Sequence, residues 1–229
     1  MWDLGLLGIL IENLQAGLIL IVTLVFSLSF HEFAHAYTAY KLGDNTSARQ
    51  GRLTLNPAAH LDPFGSLMLL LVGFGYAKPV PVNPINLNNP RTDMMKIAFA
   101  GPASNLILCL IGCLVIRLVG SDEIRSFVGF NKFGPVYNYT NLGMILVYFS
   151  NINMLLAIFN LIPVHPLDGG QIFGGFLDKR NPGLSYKLRA YGPRVLMGVI
   201  FFGIFTGKSI IGLIIIPFQF LVSLISGLY

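Results

Sequence analysis

Between Glu12 and Lys41 the chain carries one full charge, Glu32, and that charge lies inside His31-Glu32-Phe33-Ala34-His35. The run before it, Leu18 to Phe30, is almost wholly aliphatic or aromatic. This pattern predicts one long helix from Ala16 to Leu42, ended by Gly43 and turned by Asp44-Asn45. Two histidines four apart lie on one helix face, about one turn from each other, so both rings can reach a single ion. Glu32 stands about 100° round the helix from His31, placed to reach a water on that ion without ligating it. From His31 to Lys41 is about 15 Å of helix, against a hydrocarbon core about 30 Å thick. If the helix spans a bilayer, the site lies within it.

Composition says that it does. The chain is 54% hydrophobic and 11% charged over 229 residues, with a mean hydropathy of +0.70, whereas soluble domains carry about a quarter charged residues. The expectation is a single integral-membrane domain over 1–229, its core at about 16–178 and its C-terminal helices at about 190–229. The fold expected is a membrane all-α bundle of about four to six transmembrane helices. Met1-Trp2-Asp3 lacks the basic start of a signal peptide, so the first helix is expected to be retained. Cys109 and Cys113 match neither a CxxC pair nor a disulfide framework and read as small buried hydrophobes. The net charge of +5 does not point to nucleic acid, because the basic residues stand at the ends of apolar runs, where the lipid bilayer explains them.

Met94–Leu118 and Gly143–Ile162 read as the second and third spans. Leu67–Leu71 is too short to cross. Ser47–Asn56 contains the alternating Arg52-Leu53-Thr54-Leu55 and is expected as strand. Ala77–Pro84, with three prolines in six residues, is expected as extended chain at a sheet edge. Val195–Tyr229 is one kinked span or a short hairpin. Residues 41–96 hold Lys41, Arg49, Arg52, Lys78, Arg91 and Lys96, and residues 178–194 hold Lys179, Arg180, Lys187, Arg189 and Arg194. The loop between the second and third spans has only Arg117, Arg125 and Lys132, diluted by Asp122 and Glu123. The positive-inside bias therefore puts Lys41 and Arg180 on the cytoplasmic side of a cell membrane. His31 and His35 must then meet Asp168 at that same face.

A catalytic zinc site takes three protein ligands and keeps a fourth position open. His31, His35 and Asp168 meet that need, with one zinc per chain. Pro166 and Gly169-Gly170 break the helix beside Asp168, so its carboxylate can turn inward. Glu32 is the expected general base, and Asn160, eight residues before Asp168, the expected donor to an oxyanion or to substrate backbone. His60 is expected to shape the site, since a fourth protein ligand would close it. Asn105 is expected to act as helix-packing glue near the site, and His165 as local structure. Two other functions compete with peptide hydrolysis. One is a divalent-metal transporter lined by the intramembrane His-Glu-His, and the other an inactive relative that binds membrane proteins without cutting them.

Four motifs occur in order: His31-Glu32-x-x-His35, Asn56-Pro57-x-x-His60-x-Asp62-Pro63-x-Gly65, Ala100-Gly101-Pro102-x-x-Asn105 and Asn160-x-x-Pro163-x-x-Pro166-Leu167-Asp168-Gly169. Together, over roughly residues 15–205, they resemble the site-2 protease family of intramembrane zinc metalloproteases, in its compact prokaryotic form without PDZ or CBS domain. The resemblance implies zinc on His31, His35 and Asp168, Glu32 as base, and Asn160 near the substrate, a transmembrane protein or peptide. It also implies a three-helix catalytic core, with the segments near 47–56 and 77–84 forming a small membrane-associated β-sheet.

Overall fold

The computed structural model describes residues 5–131, 134–208 and 210–228. Met1-Trp2-Asp3 and Lys132, read above for targeting and charge, lie outside the described residues. In chain order the helices are α1 (Gly5–Glu12), α2 (Leu14–Lys41), α3 (Thr46–Arg49), α4 (Pro63–Val72), α5 (Pro90–Val119) and α6 (Ser121–Ile124). A hairpin of β1 (Arg125–Asn131) and β2 (Gly134–Tyr139) follows, then α7 (Asn141–Leu161), α8 (Asp168–Arg180), α9 (Pro182–Thr206) and α10 (Ile210–Ser226). Four of these helices, α2, α5, α7 and α9, are long and apolar enough to cross a membrane. The protein is an integral membrane protein built on them.

Helix α2 shows how a membrane helix sorts its faces. Thr23, Ser27, His31, His35 and Ala39, each four from the next, are buried, while Leu18, Val22 and Phe26 are exposed. Lipid tails are as apolar as leucine, so small and polar residues gain more by facing other helices. Asn13 starts the helix, its Oδ1 accepting from the Ala16 N–H at 2.9 Å. Gly43 stops it at φ +105°, a conformation that side-chain-bearing residues rarely adopt.

Helix α5 packs between α2 and α7. Gly112 makes the second of these contacts close, because a Cβ there would meet the Ser150 hydroxyl and lie 3.0 Å from the Phe149 ring. Cys109, Cys113 and Met154 form the apolar centre with Val222 of α10. Helix α10 runs beside α5 in the same direction. The Cys113 thiol reaches the Val222 carbonyl, Arg117 Nη1 donates to the Ile225 carbonyl at 3.1 Å, and Arg125 Nη1 donates to the Leu228 carbonyl at 2.9 Å.

The sheet lies elsewhere than the alternation at 52–55 suggested. Thr46–Arg49 is a helical turn, and Asn56 caps a 3-10 turn at Pro57–Ala59. The physical reason is Arg52, whose guanidinium turns inward to the Ala59 carbonyl and to the Lys78 and Pro79 carbonyls, each at 3.0 Å. Among the described residues, the extended 77–84 segment shows strand-like backbone pairing only at the bridge Leu61↔Ala77 and at the Lys78 N–H to the His60 carbonyl, 2.7 Å. Pro79 and Pro81 remove the donors that a longer ladder would need. The hairpin instead occupies the loop between α5 and α7, antiparallel from Arg125↔Tyr139 to Asn131↔Gly134, with a register break between Phe127 and Gly129. The C-terminal apolar region is two helices, and the first begins at Pro182 rather than near 190.

Candidate metal centre

Three elements bring the site together. Helix α2 presents His31 and His35 on its buried stripe. Asp168 opens α8, and the chain reaches it by folding back over the end of α7. Gly169 and Gly170 permit that return: a Cβ on Gly169 would lie 2.5 Å from the Ile162 carbonyl oxygen, and one on Gly170 2.5 Å from the His165 nitrogen. Helix α5 closes the site with Gly101. A Cβ there would lie 2.5 Å from His31 Nε2 and 2.6 Å from its Cε1.

The resulting geometry is compact. His31 Nε2 and His35 Nε2 are 3.0 Å apart. Asp168 Oδ2 is 3.1 Å from the first and 3.3 Å from the second. Ligand bonds of about 2.0–2.1 Å in a tetrahedron put neighbouring ligand atoms about 3.3 Å apart, which is the scale of this triangle. The other ring nitrogens are already committed. His35 Nδ1 donates to the Ile97 carbonyl at 2.7 Å, and His31 Nδ1 donates to Asn105 Oδ1 at 2.6 Å. Each ring thus spends its proton on an outer partner, the arrangement that orients metal-binding imidazoles. Two bare imidazole nitrogens and a carboxylate oxygen then converge, a set of lone pairs that repel unless a cation lies among them. Among the described residues this trio is the one group of three or more acidic, histidine or cysteine side chains able to hold a metal. Its nitrogen and oxygen donors suit zinc.

The remaining expected residues are placed differently. Glu32 is half-buried next to His31 in sequence; its carboxylate has no hydrogen bond or ion pair to a described residue, and its charge lies close enough to His35 to act on it. Asn160 stands in the last turn of α7, and its Nδ2 donates back to the Leu156 carbonyl at 2.9 Å, while its Oδ1 has no hydrogen bond among the described residues. His60 is not in the triangle; its Nε2 donates to the Thr54 carbonyl at 2.7 Å and its Nδ1 is buried without a partner. His165 packs under α9, where burial, and then the Arg189 guanidinium, push its imidazole below the usual range against a smaller opposing pull from Asp178. Asn105 is more than glue, since it holds His31 directly. The sequence reading missed Gly101 as the clearance for both rings. It also missed the Ile97 carbonyl, which has no side-chain signal at all.

The family model described as Peptidase family M50 matches residues 19–203. The chain is 41% identical over 169 residues to YwhC of Bacillus subtilis, covering 74% of this chain and 72% of that one. It is 31% identical over 149 residues to Rip2 of Mycobacterium tuberculosis, covering 62% of this chain and 51% of the relative, so it spans about half of Rip2. A solved structure titled Site-2 Protease from Methanocaldococcus jannaschii aligns with a TM-score of 0.47 at 21% identity, covering 97% of this chain and 82% of that one. The family match over most of the chain and the identity to YwhC agree with the donor set. This chain belongs to peptidase family M50, the site-2 protease family of zinc metalloproteases.

Proposed function

We propose that this protein is an intramembrane endopeptidase that hydrolyses peptide bonds in or near transmembrane segments of membrane-protein substrates, with one zinc per chain on His31, His35 and Asp168. The observation that carries the proposal is the convergence of three potential ligand atoms, two of them on a membrane helix. Zinc, when bound there, supplies Lewis-acid chemistry, acidifying water and polarising a carbonyl oxygen. Glu32, one residue from a ligand, takes a proton from water as it adds to the substrate carbonyl and delivers it to the leaving nitrogen. Asn160 offers its amide to the substrate backbone from the end of α7.

Two features support a transmembrane substrate. The 79–83 segment is extended, and Val80 and Val82 have no ladder partner among the described residues, so an unwound substrate can add along that edge. A cavity of about 90 Å³ lies between α2, α4 and α7, lined by Leu24, Leu28, Leu69 and Leu156 among others. Leu28 is one turn from His31, so an apolar side chain entering there approaches the site. The charge asymmetry of the loops supports a cytoplasmic face for the site.

The test is Glu32→Gln in detergent-purified protein. The variant should keep zinc at the wild-type stoichiometry and lose cleavage of a transmembrane reporter by about 10²–10⁴-fold. Unchanged cleavage, or loss of the zinc, would overturn the role given to Glu32. A wild-type protein that moves zinc across proteoliposomes without cutting would overturn the proposal itself.

A further inference from the structure

Behind His31 a chain of buried amides crosses all three packed spans. Asn105 Oδ1 faces His31 Nδ1 at 2.6 Å. Asn105 Nδ2 lies 2.8 Å from Asn153 Oδ1 and 3.3 Å from the Ser27 carbonyl. Asn153 Nδ2 lies 2.8 Å from the Phe149 carbonyl and 2.9 Å from Ser27 Oγ. Ser27, Asn105 and Asn153 have no exposed surface.

This chain has a direction, and backbone carbonyls set it. A carbonyl only accepts, so the Asn153 atom facing Phe149 must be the nitrogen, and its oxygen must face Asn105. Asn105 then presents its nitrogen to Asn153 and to the Ser27 carbonyl, and its oxygen to His31. An oxygen at 2.6 Å from Nδ1 requires the proton on Nδ1, which in the neutral ring leaves Nε2 bare. Were the Asn153 amide reversed, its oxygen would face the Phe149 carbonyl oxygen, an uncompensated buried contact costing about 1–3 kcal/mol. His35 needs no such relay, because the Ile97 carbonyl orients it in one step.

We infer that Asn153, on the third span and without contact to the metal triangle, is a positioning residue of the metal centre: acting through Asn105, it fixes the tautomer and ring orientation of His31. The inference rests on the reading of His31, His35 and Asp168 as metal ligands. Outer partners of this kind cost about 10–100-fold in metal affinity when removed. It also makes α7 a determinant of the site twice over, once through the return to Asp168 and once through Asn153.

The experiment is a cobalt titration of the full chain in detergent, read by the visible absorption of the bound ion, with competition against a chelator. Asn153→Leu should bind about 10-fold more weakly than wild type. Asn153→Asp keeps an acceptor facing Asn105 and should hold affinity close to wild type despite lower thermal stability. Asn105→Leu should weaken binding, and adding Asn153→Leu should weaken it no further, because both act on one bond to His31. Wild-type affinity in Asn153→Leu, or two losses that add, would overturn the inference and leave Asn153 as packing alone. Wild-type protein that binds no cobalt would overturn the metal-ligand reading, and this inference with it. If Asn153→Leu does not fold, ¹⁵N-histidine spectra of the metal-free wild type decide: neutral His31 must carry its proton on Nδ1, and an Nε2–H tautomer sinks the idea.

Discussion

Gly101 touches His31 where no side chain fits: a Cβ at that position would lie 2.5 Å from His31 Nε2. Alanine is ordinarily the better helix former by about 1 kcal/mol, so Gly101→Ala should do no harm to α5 in isolation. Here its methyl group intrudes on both rings of the metal triangle. We expect metal affinity to fall at least about 10-fold, the range for a displaced ligand shell, with secondary structure unchanged. Zinc content by elemental analysis beside circular dichroism checks it. A Gly101→Ala variant that retains wild-type zinc would show that the rings have room to move.

Arg52 is buried, and its guanidinium's partners among the described residues are backbone carbonyls, those of Ala59, Lys78 and Pro79. It ties the extended 77–84 segment to the loop after α3, and lysine cannot replace it, because one ammonium lacks the planar fork that spans separate acceptors. Arg52→Lys and Arg52→Ala should both leave zinc content intact while raising the KM for a transmembrane substrate several-fold. Hydrogen exchange over 77–84 should rise in both. Unaltered KM with rapid exchange would mean that the segment does not hold substrate.

The parts of this protein that were legible in advance were those whose signal is local. His31 and His35 are one helical turn apart, so spacing nominates them, and Asp168 follows from the loop charges that bring it to their face and from the Pro166 and Gly169 breaks beside it. The limits of α2 and α7 followed to within two residues from apolar length and from caps such as Gly43, whereas α5 starts at Pro90, four residues before the apolar run at Met94. The alternation at Arg52-Leu53-Thr54-Leu55 misled because Arg52 finds three carbonyl acceptors that a strand would turn it away from. The hairpin at 125–139 went unread because that loop was weighed for its charges, although Phe127, Val128, Val136 and Tyr137 are strand-favouring residues. Asn153 was invisible for a different reason. A polar residue in a span announces itself, but its partners Asn105 and Ser27 lie on other helices, and no spacing along one segment reveals that meeting.

Asp44 closes the turn after α2 by accepting from the Asn83 N–H and from Asn86 Nδ2, both at 2.7 Å, and from Thr46. Burial pushes its carboxyl upward, and the hydrogen bonds from Thr46, Asn86 and Asn83 outweigh this and hold it below its ordinary 3.8. A carboxyl lowered in the folded state contributes stability that is fully present above the unfolded value and lost as pH falls through the folded one. Protection of the Asn83 amide should therefore persist down to about pH 4 and fall away below it. Asp44→Ala should lose that protection at every pH, at a local cost of about 1–3 kcal/mol. Hydrogen exchange read at Asn83 checks both, and an unchanged profile in the variant would remove Asp44 from the latch.

The last prediction concerns which C-terminal helix crosses. By length and apolar content α9 is a span and α10 is short. The contacts argue the other way for α10. Its carbonyls at Val222, Ile225 and Leu228 meet Cys113, Arg117 and Arg125 in step, so its end lies at the β1–β2 face, opposite Lys41 and Asp168. Seventeen residues of helix are about 25 Å, enough with its flanks for a hydrocarbon core about 30 Å thick. Counting back along α10 at that rise puts Ile210 near the depth of Gly101. In the middle of α9, a Cβ on Gly192 would lie 2.8 Å from the His165 carbonyl, so α9 packs on the loop before Asp168. Asp168 at one face and Leu228 at the other need an odd number of crossings between them, and we expect α10 to make that crossing with α9 inclined along the metal side. A single cysteine at Leu228, in a Cys109→Ala, Cys113→Ala background, should react with an impermeant maleimide on intact cells. A cysteine at Lys179 should react only after permeabilisation. Labelling of both from the same side would mean that α9 crosses as well and that α10 returns to the metal face.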